Sequence, residues 1–217
     1  MLFVYDIHDY TPANMHLLFI VVAGHETTAT TLSWGVKFLS RDPKRTQATR
    51  DALLAAYGTS TPTVDQILTI EVPLLDATAN EMLRLSRTVS TIARIATTDS
   101  TILGHHIPKG TNVIFNTNGW SVLDEEGLKV DESLRSSSSQ SAPRKATHWN
   151  YEDVREFKPE RWLSQGSDGK AVFDQTAGPS MPMSAGPRGC FGELCLIPGC
   201  WMRKAPLVYW LLQVVLD

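Results

Sequence analysis

The chain has 217 residues, with 20 Lys+Arg against 23 Asp+Glu and a formal charge of −3. Hydrophobic residues make up 42% and charged residues 20%, which is enough apolar material for a packed core and excludes a wholly disordered chain. A domain usually takes ~100–200 residues, so one domain or two small ones are expected. The near balance of charge argues against nucleic acid as a partner.

The opening residues, Met-Leu-Phe-Val-Tyr-Asp-Ile-His-Asp-Tyr, lack a basic segment followed by a long apolar one, so no signal peptide is expected. No stretch reaches the ~18 apolar residues of a spanning helix. The first strong element is a helix over 12–40, opened by Thr11-Pro12 and stopped by Asp42-Pro43. Leu17 to Ala23 is apolar all round, the pattern of a helix buried on every side. A second, amphipathic helix is predicted from Pro43 to about Tyr57, closed by Gly58, and a short turn or helix from Pro62 to Ile70. A further helix spans 73–86, with Leu74, Leu75, Thr78, Met82 and Leu85 as its apolar stripe. Short strands follow, at Thr91–Thr97, on either side of Gly104, and at Val113–Phe115. The fold class expected is mainly α with small β-sheets.

From 131 to 145 the chain changes character. Arg135-Ser-Ser-Ser-Ser-Gln-Ser141 reads as a low-complexity insert and a mobile surface loop. A second soft stretch is read at Gln165 to Lys170, followed by an irregular Gly/Pro-rich segment to Gly192.

Four groups of residues carry chemistry. In Met183-Ser-Ala-Gly-Pro-Arg-Gly-Cys-Phe-Gly192, glycines bracket a cysteine. Backbone N–H groups and Arg188 could hold its sulfur as thiolate; a Gly-rich loop with a buried free cysteine is the plainer alternative. Ala-Gly-His-Glu-Thr-Thr28 puts a carboxylate and hydroxyls in the apolar helix, which needs either partners or a task. Glu81 and Arg84 share a helix face, where such a pair is commonly a weak surface bridge. Phe157-Lys-Pro-Glu-Arg-Trp162 reads alone as a turn. Three cysteines, Cys190, Cys195 and Cys200, are clustered and odd in number. That favours a reducing compartment or a metal ligand over a disulfide framework.

Taken in order and spacing, these groups resemble the C-terminal half of a cytochrome P450, over about residues 11 to 193. The Ala-Gly-His-Glu-Thr-Thr run is similar to the oxygen-activating motif of the family's I helix, Glu81-x-x-Arg84 to the ExxR pair of its K helix, and Phe157-x-Pro-Glu-Arg161-Trp to its PERF-type motif. Met183 to Gly192 is similar to the haem-binding signature at every fixed position but the first. The phrasing resembles fungal members, so secondary metabolism is the expected setting. The resemblance implies haem b as cofactor, with Cys190 as the thiolate ligand of its iron and Arg188 and Arg94 paired with its propionates. It implies that Glu26 and Thr27 manage proton delivery, and that Glu81, Arg84 and Arg161 form a structural triad. The implied reaction inserts one oxygen atom into a small apolar organic substrate, with electrons from NADPH through cytochrome P450 reductase. The family's usual location is the cytoplasmic face of the endoplasmic reticulum membrane.

The resemblance also implies a partial fold, with the N-terminal half and membrane anchor missing. Met183 stands in place of the family's phenylalanine, and the prolines that follow ExxR are replaced by Leu85-Ser-Arg-Thr-Val. Pro198-Gly199 and Pro206 should break the helix expected after the cysteine, which makes 193–217 a divergent tail. Two alternatives to an active monooxygenase follow: a truncated, inactive remnant, and a small metal-binding module on the three cysteines, which lacks a suitably spaced fourth ligand.

Overall fold

The computed structural model describes residues 12–116, 131–141, 152–178, 180, 182–184, 189 and 190, with the side chains of 12–20 and 139 excepted. Four helices come first: α1 (Pro12–Arg41), α2 (Pro43–Tyr57), α3 (Val64–Thr69) and α4 (Pro73–Ser86). Their boundaries follow local chemistry. Asp42 ends α1 and caps α2, its carboxylate accepting the Arg45 N–H at 3.0 Å while Pro43 takes the first helical position. Gly58 closes α2 at φ 72°, a left-handed value suited to glycine. Thr63 and Gln66 cap α3 reciprocally, each side chain accepting the other's backbone N–H.

Helix α4 is the centre of the described structure, because it is apolar on two faces. One face presents Leu75 and Met82 to Leu39 of α1, Leu53 and Tyr57 of α2 and Ile67 of α3. The other places Ala77 against Val154 and Trp162, with Leu163, Phe173 and Ala177 packed around them. Fully burying side chains of the size of Leu53, Ile67 and Met82 stabilises by ~1.5–3 kcal/mol each, so this double face anchors the domain.

The strands form three antiparallel pairs. Strand β1 (Thr91–Ile95) pairs with β4 (Asn112–Asn116), with Arg94 opposite Val113. Between them, β2 (Ser100–Ile102) and β3 (His105–Ile107) make a hairpin. Its turn residues Leu103 and Gly104 have φ 47° and 80°, the positive pair that a tight two-residue hairpin turn requires. Later, β5 (Leu163–Gln165) and β6 (Ala171–Phe173) pair directly after a 3₁₀ turn at Pro159–Trp162. The mainly helical fold with small sheets is therefore the one expected.

Several readings need correction. The soft stretch Gln165–Lys170 is the turn of the β5–β6 hairpin, fastened by Gly166 N–H donating to Lys170 O at 2.8 Å. The serine-rich segment lies at the surface, as expected, but its described part carries local helical structure. Residues Glu132–Leu134 form a 3₁₀ turn and Ser137–Ser141 a short helix, α5. Gln140 holds the two together by donating to the carbonyls of Glu132 and Arg135. The apolar helix is not enclosed in this chain: Val21 and Val22 are 58% and 49% exposed. Leu17–Ile20 lie outside the described side chains, as residues 142–145 and the tail 193–217 lie outside the described residues. Among the described residues, no helix is long and apolar enough to cross a membrane.

Candidate functional site

The strongest local chemistry lies where α4 meets the segment 152–162. Glu81 is fully buried on α4, one turn from Arg84. Arg84 grips its carboxylate with two parallel bonds, Nε to Oε2 and Nη2 to Oε1, both 2.8 Å. Arg161 Nε donates to Oε1 at 3.1 Å. Trp162 Nε1 donates to Oε2 and the Lys158 backbone N–H to Oε1, at 2.8 and 2.9 Å. The weak surface pair considered for Glu81 and Arg84 is thus a buried, bidentate bridge, and Arg161 joins it. Other guanidinium donors face backbone: Arg84 Nη1 reaches Val154 O at 2.7 Å, and Arg84 Nη2 and Arg161 Nη2 both reach Glu156 O. Bridges of this kind hold only when every buried charge is paired and hydrogen-bonded, which is the case here.

Three residues at this centre were not singled out from the sequence. Asp153 accepts from Arg161 Nη1 at 2.8 Å and also bonds Lys158 Nζ. Burial alone would push its carboxyl up, but the hydrogen bonds from Lys158 and Arg161 hold it below the ordinary carboxylate value. Trp162 and the Lys158 N–H complete the set around Glu81. Only Trp162 left a signal, as an aromatic directly after the motif arginine.

The cysteine segment departs from this platform. The Asp174 N–H donates to Trp162 O at 2.8 Å, and Ala177 packs on the Ala77–Val154–Trp162 cluster. Further on, the Cys190 N–H donates to Met183 O at 2.8 Å, drawing the two ends of the loop together. Ser184 beside it adopts φ 61°. Cys190 is a free, exposed thiol, not the buried cysteine of the plainer reading. Arg188 lies outside the described residues.

The other expected site residues stand apart from the buried cluster. Arg94 is exposed on β1, its Nη1 donating to the neighbouring Ala93 O at 2.8 Å. Glu26 is exposed on α1, its carboxylate 3.6 Å from His25 Nδ1. The Thr27 hydroxyl donates back to Ala23 O at 2.7 Å, and Thr31 repeats this onto Thr27 O at 2.9 Å. Thr31 Oγ1 also lies 3.4 Å from Ser86 Oγ, so the polar ladder of α1 ends at the C-terminus of α4.

Comparison with known proteins places the chain in a family. Residues 10–126 match the family model described as cytochrome P450. Over 190 residues, the chain is 39% identical to cytochrome P450 monooxygenase GME11363 of Pestalotiopsis microspora, covering 85% of this chain and 33% of that protein. It is 36% identical to cytochrome P450 monooxygenase TRI13 of Fusarium sporotrichioides, over 80% of this chain and 32% of that one. It is also 36% identical to the Hps1-dma1 cluster cytochrome P450 monooxygenase cyp3.1 of Dothistroma septosporum, over 84% of this chain and 63% of that protein. The chain thus spans about a third of the length of the first two relatives and less than two thirds of the third.

Proposed function

The chain belongs to the cytochrome P450 family, and from that premise we propose that it is the thiolate-bearing part of a haem monooxygenase that inserts one oxygen atom from O₂ into an organic substrate. The observation that carries the reading is the Cys190 loop: a free, exposed thiol at the end of a segment pinned to a buried charged platform.

The residues fit haem. An accessible soft sulfur, the only free thiol among the described residues, with its segment closed by a backbone bond to Met183, is the kind of donor a haem iron takes on one face. Cys190 would hold the iron, and Arg94 with Arg188 would pair with the propionates. A haem held by a cysteine thiolate supplies oxygen activation, the sulfur pushing electron density toward O–O cleavage. The chain's own contribution is support and proton handling. The Glu81–Arg84–Arg161 cluster fixes the turn from which the cysteine segment leaves. On α1, proton handling would fall to the exposed Glu26 carboxylate, beside His25, and to the Thr27 hydroxyl, which would have to release its bond to Ala23 O in order to donate.

The relatives named above support a fungal oxygenase, and we extend this to secondary metabolism, a small apolar substrate and electrons from NADPH through cytochrome P450 reductase. The endoplasmic reticulum membrane, cytoplasmic face, is the location proposed. The test is the absorption spectrum of the haem-loaded protein, reduced and exposed to carbon monoxide. A red-shifted Soret band that disappears in Cys190→Ser and survives in Cys195→Ala is expected. A parent protein without that band, or a Cys190→Ser variant that keeps it, overturns the reading.

A further inference from the structure

The three charges Glu81, Arg84 and Arg161 do not balance. Two guanidiniums face one carboxylate, and their side chains are 1%, 6% and 0% exposed for Arg84, Arg161 and Glu81. An uncompensated positive charge in such a place is strongly destabilising. The missing negative charge is Asp153, itself 13% exposed, 2.8 Å from Arg161 Nη1. The same residue's backbone oxygen accepts from Arg161 Nη2 at 2.8 Å and from the Glu156 N–H at 2.9 Å. Asp153 therefore grips Arg161 twice and shapes the turn whose Val154 and Glu156 carbonyls cradle both arginines. Lys158, the other partner of its carboxylate, is 38% exposed and has solvent to share its charge.

Next to Arg161 in the chain stands Trp162, whose carbonyl accepts the Asp174 N–H and which belongs to the buried cluster that Ala177 packs against, on the way to the cysteine segment. We propose that Asp153 is a positioning residue for the Cys190 thiol, balancing the buried cluster and holding the Arg161–Trp162 turn from which the cysteine segment departs. This deepens the reading of Cys190 as the functional thiol and rests on it.

The experiment is amide hydrogen exchange on the haem-free full chain, so it stands or falls separately from the spectrum of the loaded protein. The probe is the Cys190 N–H, which is bonded to Met183 O. In Asp153→Asn, this amide should exchange about tenfold faster while the β1–β4 amides keep the parent rate, the pattern of a local opening. Asp153→Glu, which keeps the charge, should return most of the protection. Equal Cys190 rates in parent and Asp153→Asn overturn the proposal, and so does acceleration spread evenly over the chain.

Should Asp153→Asn be insoluble, the double variant Asp153→Asn/Arg161→Gln decides. It removes one charge of each sign and leaves the balanced Glu81–Arg84 pair, so it should be soluble and still show the fast Cys190 amide. A double variant that is also insoluble, or that keeps the parent rate at Cys190, refutes the assignment.

Discussion

Replacing Glu81 by glutamine keeps the shape of the side chain and removes its charge, so it isolates what the carboxylate does. Five hydrogen bonds converge on it, from Arg84 Nε and Nη2, Arg161 Nε, Trp162 Nε1 and the Lys158 N–H. Oε1 receives three of them and Oε2 two. Every partner is a donor, so a glutamine cannot satisfy the site in either orientation. Its NH₂ must confront at least two N–H groups, at a side chain that is fully buried. The two guanidiniums would also lose the anion between them. Breaking a buried pair in this way costs about 3–5 kcal/mol, a large part of the ~5–15 kcal/mol that holds a domain together. Urea unfolding followed by far-ultraviolet circular dichroism reads the loss as a lower midpoint. Glu160→Gln is the control. Its carboxylate is 47% exposed and pairs with Arg45 at 3.0 Å, so solvent screens the bridge and the loss should stay under about 1 kcal/mol. A Glu81→Gln variant as stable as Glu160→Gln would refute the view that this cluster holds the two halves of the site together.

Other measurements address other parts of the molecule. The Tyr57 hydroxyl is buried without a hydrogen-bond partner, so Tyr57→Phe should be neutral or stabilising by up to about 1–3 kcal/mol in a thermal melt; a clear loss of stability would show a hidden partner. Burial, reinforced by the charge of Asp76, pushes the Tyr57 phenol above its ordinary 10.0, so an alkaline ultraviolet titration should lose one ionising phenol above that value in Tyr57→Phe; no such difference would exclude the shift. For Asp153 and Asp42, burial works against ionisation, but hydrogen bonds and charges from their basic neighbours win and hold both carboxyls below their ordinary 3.8. Their stabilising contribution is complete above the unfolded value and is lost as pH falls through the folded one. Asp153→Asn should therefore narrow the stability gap to the parent as pH is lowered below about 4; an unchanged gap across that range would exclude the linkage.

What the sequence disclosed follows from how far apart the interacting residues lie. The helix ends at Asp42-Pro43, Gly58 and Pro73 are written in one or two adjacent residues, and they stand where local chemistry put them. The Glu81–Arg84 pair was visible for the same reason, being one turn apart. Its burial was not, because the carbonyls that enclose Arg84 come from Val154 and Glu156, some seventy positions away in the chain. The serine-rich helix at Ser137–Ser141 was hidden by propensity: serine is a modest helix former, and here Gln140 ties the turns together. The β5–β6 hairpin was hidden by its polar turn, where Gly169 at φ 76° reverses the chain. Asp153 left no signal, because a lone acid eight residues before an arginine has no meaning until the 3₁₀ turn at Pro159 brings the two together. Charge bookkeeping points to it once the burial of the cluster is known. Two arginines and one glutamate assigned to a single buried site leave a positive charge, and a domain of ordinary stability cannot carry one there. The search for the missing carboxylate then narrows to the acids near the motif, of which Glu152, Glu156 and Glu160 are exposed and Asp153 is not.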